Sequence, residues 1–181
     1  MDYFKDYFER EAAYKKLKPS DIADISDDDL LGAVMTWMIE LLDGKWSDEY
    51  SIVSAMPKPC MLIWASSSNY NQIHNMGLEA VYLEHNYRQF AEAAAEGYEV
   101  IGADKLAVAI RKANERIGQI VKTVMPDGDT YDEKADKLIL DAFEEYIDEF
   151  ENEFYEATRI YDNNRLSAAY IRKHAECFGA Q

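Results

Sequence analysis

The sequence predicts an all-α fold, a single-domain bundle of about seven helices, from three observations. Only four prolines and eight glycines interrupt the 181 residues, so long helices fit between these breakers. Apolar residues recur at the three- and four-residue spacing of amphipathic helices. No run of alternating apolar and polar residues predicts a strand, and the chain has no internal repeat. At this length, one domain spanning residues 1–181 with a sizeable core is expected.

Two helices are predicted before the first long connector. An amphipathic stretch over residues 3–17 is expected to end before Lys18, because a residue that precedes proline avoids the helical region. The second helix begins where Ser26 caps it, with Asp29 three residues further on as in a capping box, and Gly44 is expected to end it. Its inward face is predicted to hold Leu30, Val34, Trp37, Met38 and Leu41.

The middle of the chain follows a connector at residues 46–59. Residues 60–84 are predicted to be helical, either as one kinked helix or as two, because the polar run "SSSNYNQ" interrupts them. The next helix covers residues 87–100. Gly97 lies near its end and Gly102 just past it, where glycine commonly terminates a helix.

Three further helices complete the prediction. The helix over residues 104–124 has a clear apolar face. The sequence "MPDGDTY" (125–131) is typical of a turn. A long helix over residues 131–158 and a last one over residues 165–178 follow. The apolar face of the first of these three consists of Leu106, Ile110, Ala113, Ile117, Ile120 and Val124.

The predicted helix 131–158 separates apolar residues from charged ones. At 100° per residue, an arc of roughly 100° is apolar and is expected to be buried. This stripe consists of Ile139, Phe143, Tyr146, Ile147, Phe150 and Phe154. The complementary arc of roughly 200° carries eight carboxylates, with no basic residue between positions 141 and 157. We call these eight residues the acidic face: Asp141, Glu144, Glu145, Asp148, Glu149, Glu151, Glu153 and Glu156.

The acidic face concentrates like charge at an energetic cost. Like charges three or four positions apart destabilise a helix by about 0.2 to 0.5 kcal/mol, so its eight such pairs cost roughly 2 to 4 kcal/mol before screening. Eight carboxylates along roughly 22 Å give about one charge per 3 Å, close to one phosphate per about 3.4 Å in a strand of B-DNA. A basic groove that neutralises phosphates is therefore suited to this face. The alternative interpretation is a solvated surface that maintains solubility. Acids at positions 21, 24 and 27–29 would extend the field if they lie nearby.

The composition limits which classes of partner and which cellular compartment are expected. With 35 acidic and 19 basic residues, the formal net charge of −16 repels nucleic acid and anionic membranes and attracts basic partners. Neither a signal peptide nor a membrane-spanning segment is predicted. Cys60 and Cys177 are far apart in the sequence and are expected to be buried free thiols in a reducing compartment. We therefore expect a cytoplasmic protein without direct nucleic-acid or membrane binding.

Sequence motifs for catalysis are missing. A di-iron bundle needs Glu-x-x-His, but Asn71, Tyr82 and Ile171 stand three residues before the three histidines. The stretch 127–138 lacks the central glycine and terminal glutamate of a calcium loop, and no phosphate-binding glycine loop is present. We predict a protein that is not an enzyme, with no catalytic residues, no metal site and no cofactor. A helical enzyme that holds a metal ion by carboxylates is a less favoured alternative.

Four segments resemble a known family. They are "DDDLLGAVMTWMI" (27–39), "QIHNMGLEAVYLE" (72–84), "IGADKLAVAIRKA" (101–113) and "AAYIRKHAECF" (168–178), and they resemble the hallmark segments of the bacterial DNA-mimic protein family. The family's central motif reads Asn-Gly-Gly-Phe. Asn75 and Gly77 match it, whereas Met76 and Leu78 replace the first glycine and the phenylalanine, as in a divergent member. Together with the two matching residues, Tyr82 and Gly102 are assigned to the family's fold motif.

The resemblance implies a fold and a function. It implies an acidic, all-helical, non-enzymatic homodimer that presents a DNA-like negative surface to a basic DNA-binding protein, such as a transcription regulator. The acidic face is the predicted partner-binding surface. The alternative partner is a basic nuclease, which an immunity or antitoxin protein of this kind would inhibit.

Overall fold

The computed structural model describes residues 3–83, 85–124 and 133–180. All regular structure in these ranges is helical, which confirms the all-α prediction. Two of the α-helices, α3 and α5, have six residues, and the other seven have eleven or more. The predicted turn at 125–131 lies outside the described residues. The helices are α1 (Tyr3–Tyr14), α2 (Asp27–Leu42), α3 (Glu49–Ser54), α4 (Lys58–Met76), α5 (Leu78–Leu83), α6 (His85–Val100), α7 (Asp104–Val124), α8 (Glu133–Thr158) and α9 (Asn163–Lys173).

The chain divides into two compact units. The first unit consists of Met1–Trp64 and Asp162–Gln181, and the second consists of Ala65–Tyr161. The single domain of residues 1–181 stays a prediction. None of the helices in the described ranges combines the length and the apolar character that crossing a membrane requires.

In the first unit, α2 packs against α1 and α9. As predicted, Ser26 caps α2, because its Oγ accepts a hydrogen bond from the Asp29 N–H at 3.3 Å. The predicted inward face is buried except at Leu41, which is exposed. Leu42, four residues after Met38, is buried instead, because the stripe that faces the neighbouring helices continues by a four-residue step.

Two elements of the first unit differ from the prediction, whereas the end of α2 agrees with it. Helix α2 ends at Leu42, and both Asp43 (φ 49°) and the expected Gly44 (φ 73°) adopt the left-handed conformation that terminates a helix. Helix α9 ends at Lys173 and is followed by a 3₁₀ turn over residues 175–177, whereas one helix to residue 178 was expected. The connector at 46–59 contains a 3₁₀ turn and the short helix α3, which the sequence pattern did not indicate.

The two cysteines lie in the first unit and are free thiols. The Cys60 thiol is buried and donates a hydrogen bond to the Cys177 carbonyl oxygen at 3.0 Å. Burial raises the pKa of the Cys60 thiol to about 12. Cys177 is only half-buried, so the prediction of two buried thiols is right for Cys60 alone.

In the second unit, α7 packs against α6 and α8, and α5 packs against α6 and α8. The region predicted as one kinked helix or two is two helices, α4 and α5. The break lies at Gly77, whose φ of 88° is left-handed, and not within the polar run. The polar run stays helical and is largely buried, and the Tyr98 hydroxyl lies 3.0 Å from the Ser66 carbonyl oxygen and 3.1 Å from Asn69 Oδ1.

The predicted boundaries and apolar face of α7 are confirmed, and Val124 at its end is half-buried. One polar residue, Asn114, is buried on this helix. Its Oδ1 accepts a hydrogen bond from the Tyr82 hydroxyl at 2.7 Å, and its Nδ2 donates to the Ala91 carbonyl oxygen at 3.0 Å. Burial raises the pKa of Tyr82, which keeps the hydroxyl protonated as a donor. This network links α5, α6 and α7.

Candidate protein-binding surface

Helix α8 presents its apolar stripe to the interior of the second unit, as predicted. Ile139, Phe143, Phe150 and Phe154 are buried, and Tyr146 and Ile147 are half-buried. The Phe143 ring packs edge-on against Tyr82, with 5.6 Å between ring centroids. Burial of this stripe fixes the rotation of α8 about its axis, and therefore fixes where the carboxylates of the opposite arc point.

Five members of the acidic face are exposed and have no cation within 4 Å among the residues that the structure describes. We call them the unpaired acids. They occupy two turns of α8 and are Asp141, Glu144, Glu145, Asp148 and Glu149.

Two members of the acidic face are neutralised within the second unit. Both carboxylate oxygens of Glu153 accept hydrogen bonds from Lys112 Nζ on α7, at 2.7 and 2.8 Å. Glu156 forms an ion pair with Arg159, three residues further along the chain. The C-terminal part of the acidic face is therefore less negative than the sequence alone indicates.

Glu151 makes a hydrogen bond within the second unit and is not fully exposed to solvent. Its Oε1 accepts a hydrogen bond from the Leu78 N–H at 2.6 Å and so caps the start of α5. A Cβ atom added at Gly77 would lie 2.9 Å from the same oxygen, so this close approach depends on glycine. Glu151 is half-buried and thus differs from the unpaired acids.

The unpaired acids retain the charge density that the whole acidic face was predicted to have. From Asp141 to Glu149 there are eight helical steps, roughly 12 Å, so five carboxylates give about one charge per 2.4 Å. A single strand of B-DNA carries one phosphate per about 3.4 Å. Dense, uncompensated charge is therefore confined to the N-terminal two turns of the predicted surface.

The groups of this chain that contact Glu151, Glu153 and Glu156 were not identified from the sequence. The Glu156–Arg159 pair is local, and its three-residue spacing was a usable signal. Lys112 lies 41 residues before Glu153, and Leu78 lies 73 residues before Glu151. Only the packing of α7 and α5 against α8 brings these groups together.

The additional acids near the start of α2 belong to the first unit, and three of them have partners within that unit. Asp21 Oδ2 accepts a hydrogen bond from the Lys18 N–H at 2.9 Å. Asp27 forms an ion pair with Arg172 at 2.7 Å. Asp29 bonds to Ser26 at the cap and lies 3.6 Å from Arg10.

The residues assigned to the family's fold motif lie at helix ends and in the core. Asn75 is exposed in the last turn of α4, and Gly77 ends that helix with its N–H donating to the Ile73 carbonyl oxygen at 3.0 Å. Tyr82 is buried in the network described above. Gly102 (φ 85°) ends α6 in a Schellman arrangement, since the Gly102 and Ala103 N–H groups donate to the carbonyl oxygens of residues 99 and 98.

Within the described ranges, no group of three or more His, Cys, Asp or Glu side chains could hold a metal ion. His74 contacts its own helix, with Nδ1 2.9 Å from the Tyr70 carbonyl oxygen and its ring stacked on the Tyr70 ring at 4.1 Å.

Comparison with known proteins identifies the family. The family model described as DMP19-like protein matches residues 54–174, which are 121 of the 181 residues. The segments at 72–84 and 101–113 lie inside this match, and the segment at 27–39 precedes it. Searches of the curated proteins and of the solved structures find no significant match. Because the matched region covers about two thirds of the sequence, this chain belongs to the DMP19-like protein family.

Proposed function

We propose that this protein is a non-enzymatic DNA mimic whose unpaired acids occupy the basic DNA-binding surface of another protein, such as a transcription regulator. Membership of the DMP19-like family supports DNA mimicry. The location of the surface is proposed from the charges of α8. A basic groove that accepts phosphates offers Lys and Arg side chains, and these pair with carboxylates by the same charge-assisted hydrogen bonds.

One observation carries the proposal. Five carboxylates project from two turns of one helix without a cation within 4 Å among the described residues. Five pairs of them are spaced three or four positions apart, which destabilises α8 by roughly 1 to 2.5 kcal/mol before screening. Lysines at a few of these positions would remove that repulsion. A basic partner removes it too, and releases counterions from both surfaces.

The experiment compares two variants with equal changes of charge. In the test variant, the unpaired acids are replaced by Gln or Asn. The control variant neutralises five exposed acids that lie outside α8, and the positions are Asp6, Asp24, Asp48, Glu79 and Glu92. Each variant and the unmodified protein are used to capture partners from the native cytoplasm, and the captured protein is purified.

The binding constants of the captured protein are then measured at about 50 and 200 mM salt, alone and with competing duplex DNA. We expect the unmodified protein and the control to lose affinity at least about tenfold over this range, and duplex DNA to displace both. The test variant should bind weakly with a smaller salt dependence. Affinity that is independent of salt, or equal loss in both variants, refutes the proposal. The activity of the captured protein, DNA binding alone or DNA cleavage, distinguishes a regulator from a nuclease.

The predicted homodimer is a separate proposal, and sedimentation of the unmodified protein measures it. The second unit and its α8 helix are sufficient for the proposed contact, so the proposal for the unpaired acids holds for a monomer as well.

A further inference from the structure

A groove on the second unit adjoins the unpaired acids. It lies between α7 and the C-terminal part of α8, has a volume of about 780 Å³, and is bordered by Glu149, the last of the unpaired acids. Three apolar side chains line it. Val108 and Ile160 are 49% and 57% exposed, and Ala157 is buried beside them. Exposed apolar side chains that share one concave surface with a polar rim are suited to bury an apolar group of a partner, whereas singly scattered ones are normal on any protein.

The rim of the groove is negative but largely compensated. Four carboxylates and two cations line it, and two of those carboxylates are in ion pairs: Glu153 with Lys112, and Glu156 with Arg159. Asp104 and Glu149 have no cation within 4 Å among the described residues, and Lys105 adds one positive charge. One side of α8 therefore changes along its length from dense negative charge to an apolar surface with a weakly negative rim.

A phosphate backbone has no apolar surface like that of the groove. A DNA-binding element that contacted only charged groups would need only cationic side chains. An amphipathic helix, in contrast, places apolar and cationic residues on neighbouring positions and commonly binds in a groove of this kind. The groove adds the apolar contact, and the unpaired acids supply the charge.

We infer that this groove accepts an apolar side chain from a basic amphipathic helix of the partner, whose Lys and Arg residues contact the unpaired acids. This inference rests on the proposed function and gives it a specific form: part of the affinity comes from apolar burial and is insensitive to salt. Charge disfavours a second copy of this chain as the occupant, because a symmetric contact would place the same carboxylates opposite each other in a protein of net charge −16.

Two synthetic peptides serve as probes. Both are amphipathic helices of about 16 residues, roughly 24 Å long, with arginines along one side. One peptide has two leucines beside the arginines at one end, and the other has glutamines there, so the two have the same charge. Each peptide is titrated against the unmodified protein and against the double variant Val108→Ser/Ile160→Ser at two salt concentrations.

We expect the leucine peptide to bind the unmodified protein about tenfold more tightly than the glutamine peptide. In the double variant this difference should disappear, while both peptides keep the same salt dependence. A control variant, Met76→Ser/Val100→Ser, changes two exposed apolar residues outside the groove and should leave the difference intact.

The outcomes separate the two proposals. If both peptides bind with a strong salt dependence but with equal affinity, the groove inference is wrong and the proposed function stands. If neither peptide binds, or if binding is independent of salt, both are wrong. Sedimentation of the double variant provides a third outcome: if Val108→Ser/Ile160→Ser converts a dimer into a monomer, the groove holds a second copy of this chain and the inference is overturned.

Discussion

Replacing Glu151 by alanine is expected to destabilise the protein, whereas the same replacement at Glu145 is expected to stabilise it. The two residues lie on one helix and were both predicted to bind a partner. Glu145 is exposed and unpaired, but Glu151 accepts the Leu78 N–H at 2.6 Å and is half-buried. The pair of variants is matched in chemistry and in helix propensity, so their difference isolates the surroundings of each carboxylate.

The magnitudes follow from the contacts. A hydrogen bond to a charged group contributes about 1.5 to 3 kcal/mol, and its loss leaves the N–H at the start of α5 without this acceptor. Removing Glu151 also relieves one like-charge pair, with Asp148, which returns about 0.2 to 0.5 kcal/mol. The net loss is therefore roughly 1 to 2.5 kcal/mol. Glu145 takes part in three like-charge pairs, with Asp141, Asp148 and Glu149, so its removal adds roughly 0.6 to 1.5 kcal/mol to stability before screening.

Urea denaturation at neutral pH, followed by circular dichroism, measures both free energies of unfolding. Repeating it at about 1 M salt adds a check, because screening reduces the gain at Glu145 and leaves most of the loss at Glu151. The reasoning would be refuted if both variants were stabilised by similar amounts, since Glu151 would then behave as another exposed acid.

Three further predictions concern single residues. Gly77→Ala should destabilise by more than Gly102→Ala: both need a left-handed backbone, costing roughly 1 to 2 kcal/mol, but only at Gly77 would the added Cβ meet a carboxylate oxygen, at 2.9 Å. Equal losses in denaturation would contradict this difference. Tyr82→Phe should lower the free energy of unfolding by about 1 to 3 kcal/mol, because it leaves the buried Asn114 Oδ1 without the Tyr82 donor, and an unchanged value would contradict the network. Stability should fall as pH rises above about 9, because the Cys60 pKa is raised from 9.0 to about 12 on folding, so the unfolded chain loses this proton first. Cys60→Ala should remove part of that decrease, and identical pH profiles would exclude the thiol as its cause.

Local pattern was enough to predict the elements whose geometry is set by near neighbours. The Ser26 cap of α2, the apolar face of α7, the end of α6 at Gly102 and the stripe of α8 all depend on residues within a few positions of one another. Capping and the 3.6-residue period act over that distance, so the sequence contains the whole of the information.

The polar run of α4 shows where local pattern was insufficient. Three serines followed by Asn69 form a polar interruption of the predicted helical region, yet the helix continues through them, and Ser66 and Asn69 are buried. The Tyr98 hydroxyl, about 30 residues away, lies within hydrogen-bond distance of both. A buried polar group requires a hydrogen-bond partner, and the sequence pattern of a single helix does not reveal a partner that lies on another helix.

The sequence by itself determined that the eight carboxylates of the acidic face lie on α8 opposite a buried apolar stripe, because helical period and composition fix that separation. Only the tertiary structure decided how many of these carboxylates remain exposed and unpaired. Lys112 reaches Glu153 from α7, and the start of α5 takes Glu151 as its cap. The physical reason is that a charge is neutralised by whatever lies within a few ångströms in space, and for these residues that distance is set by helix packing and not by position in the chain.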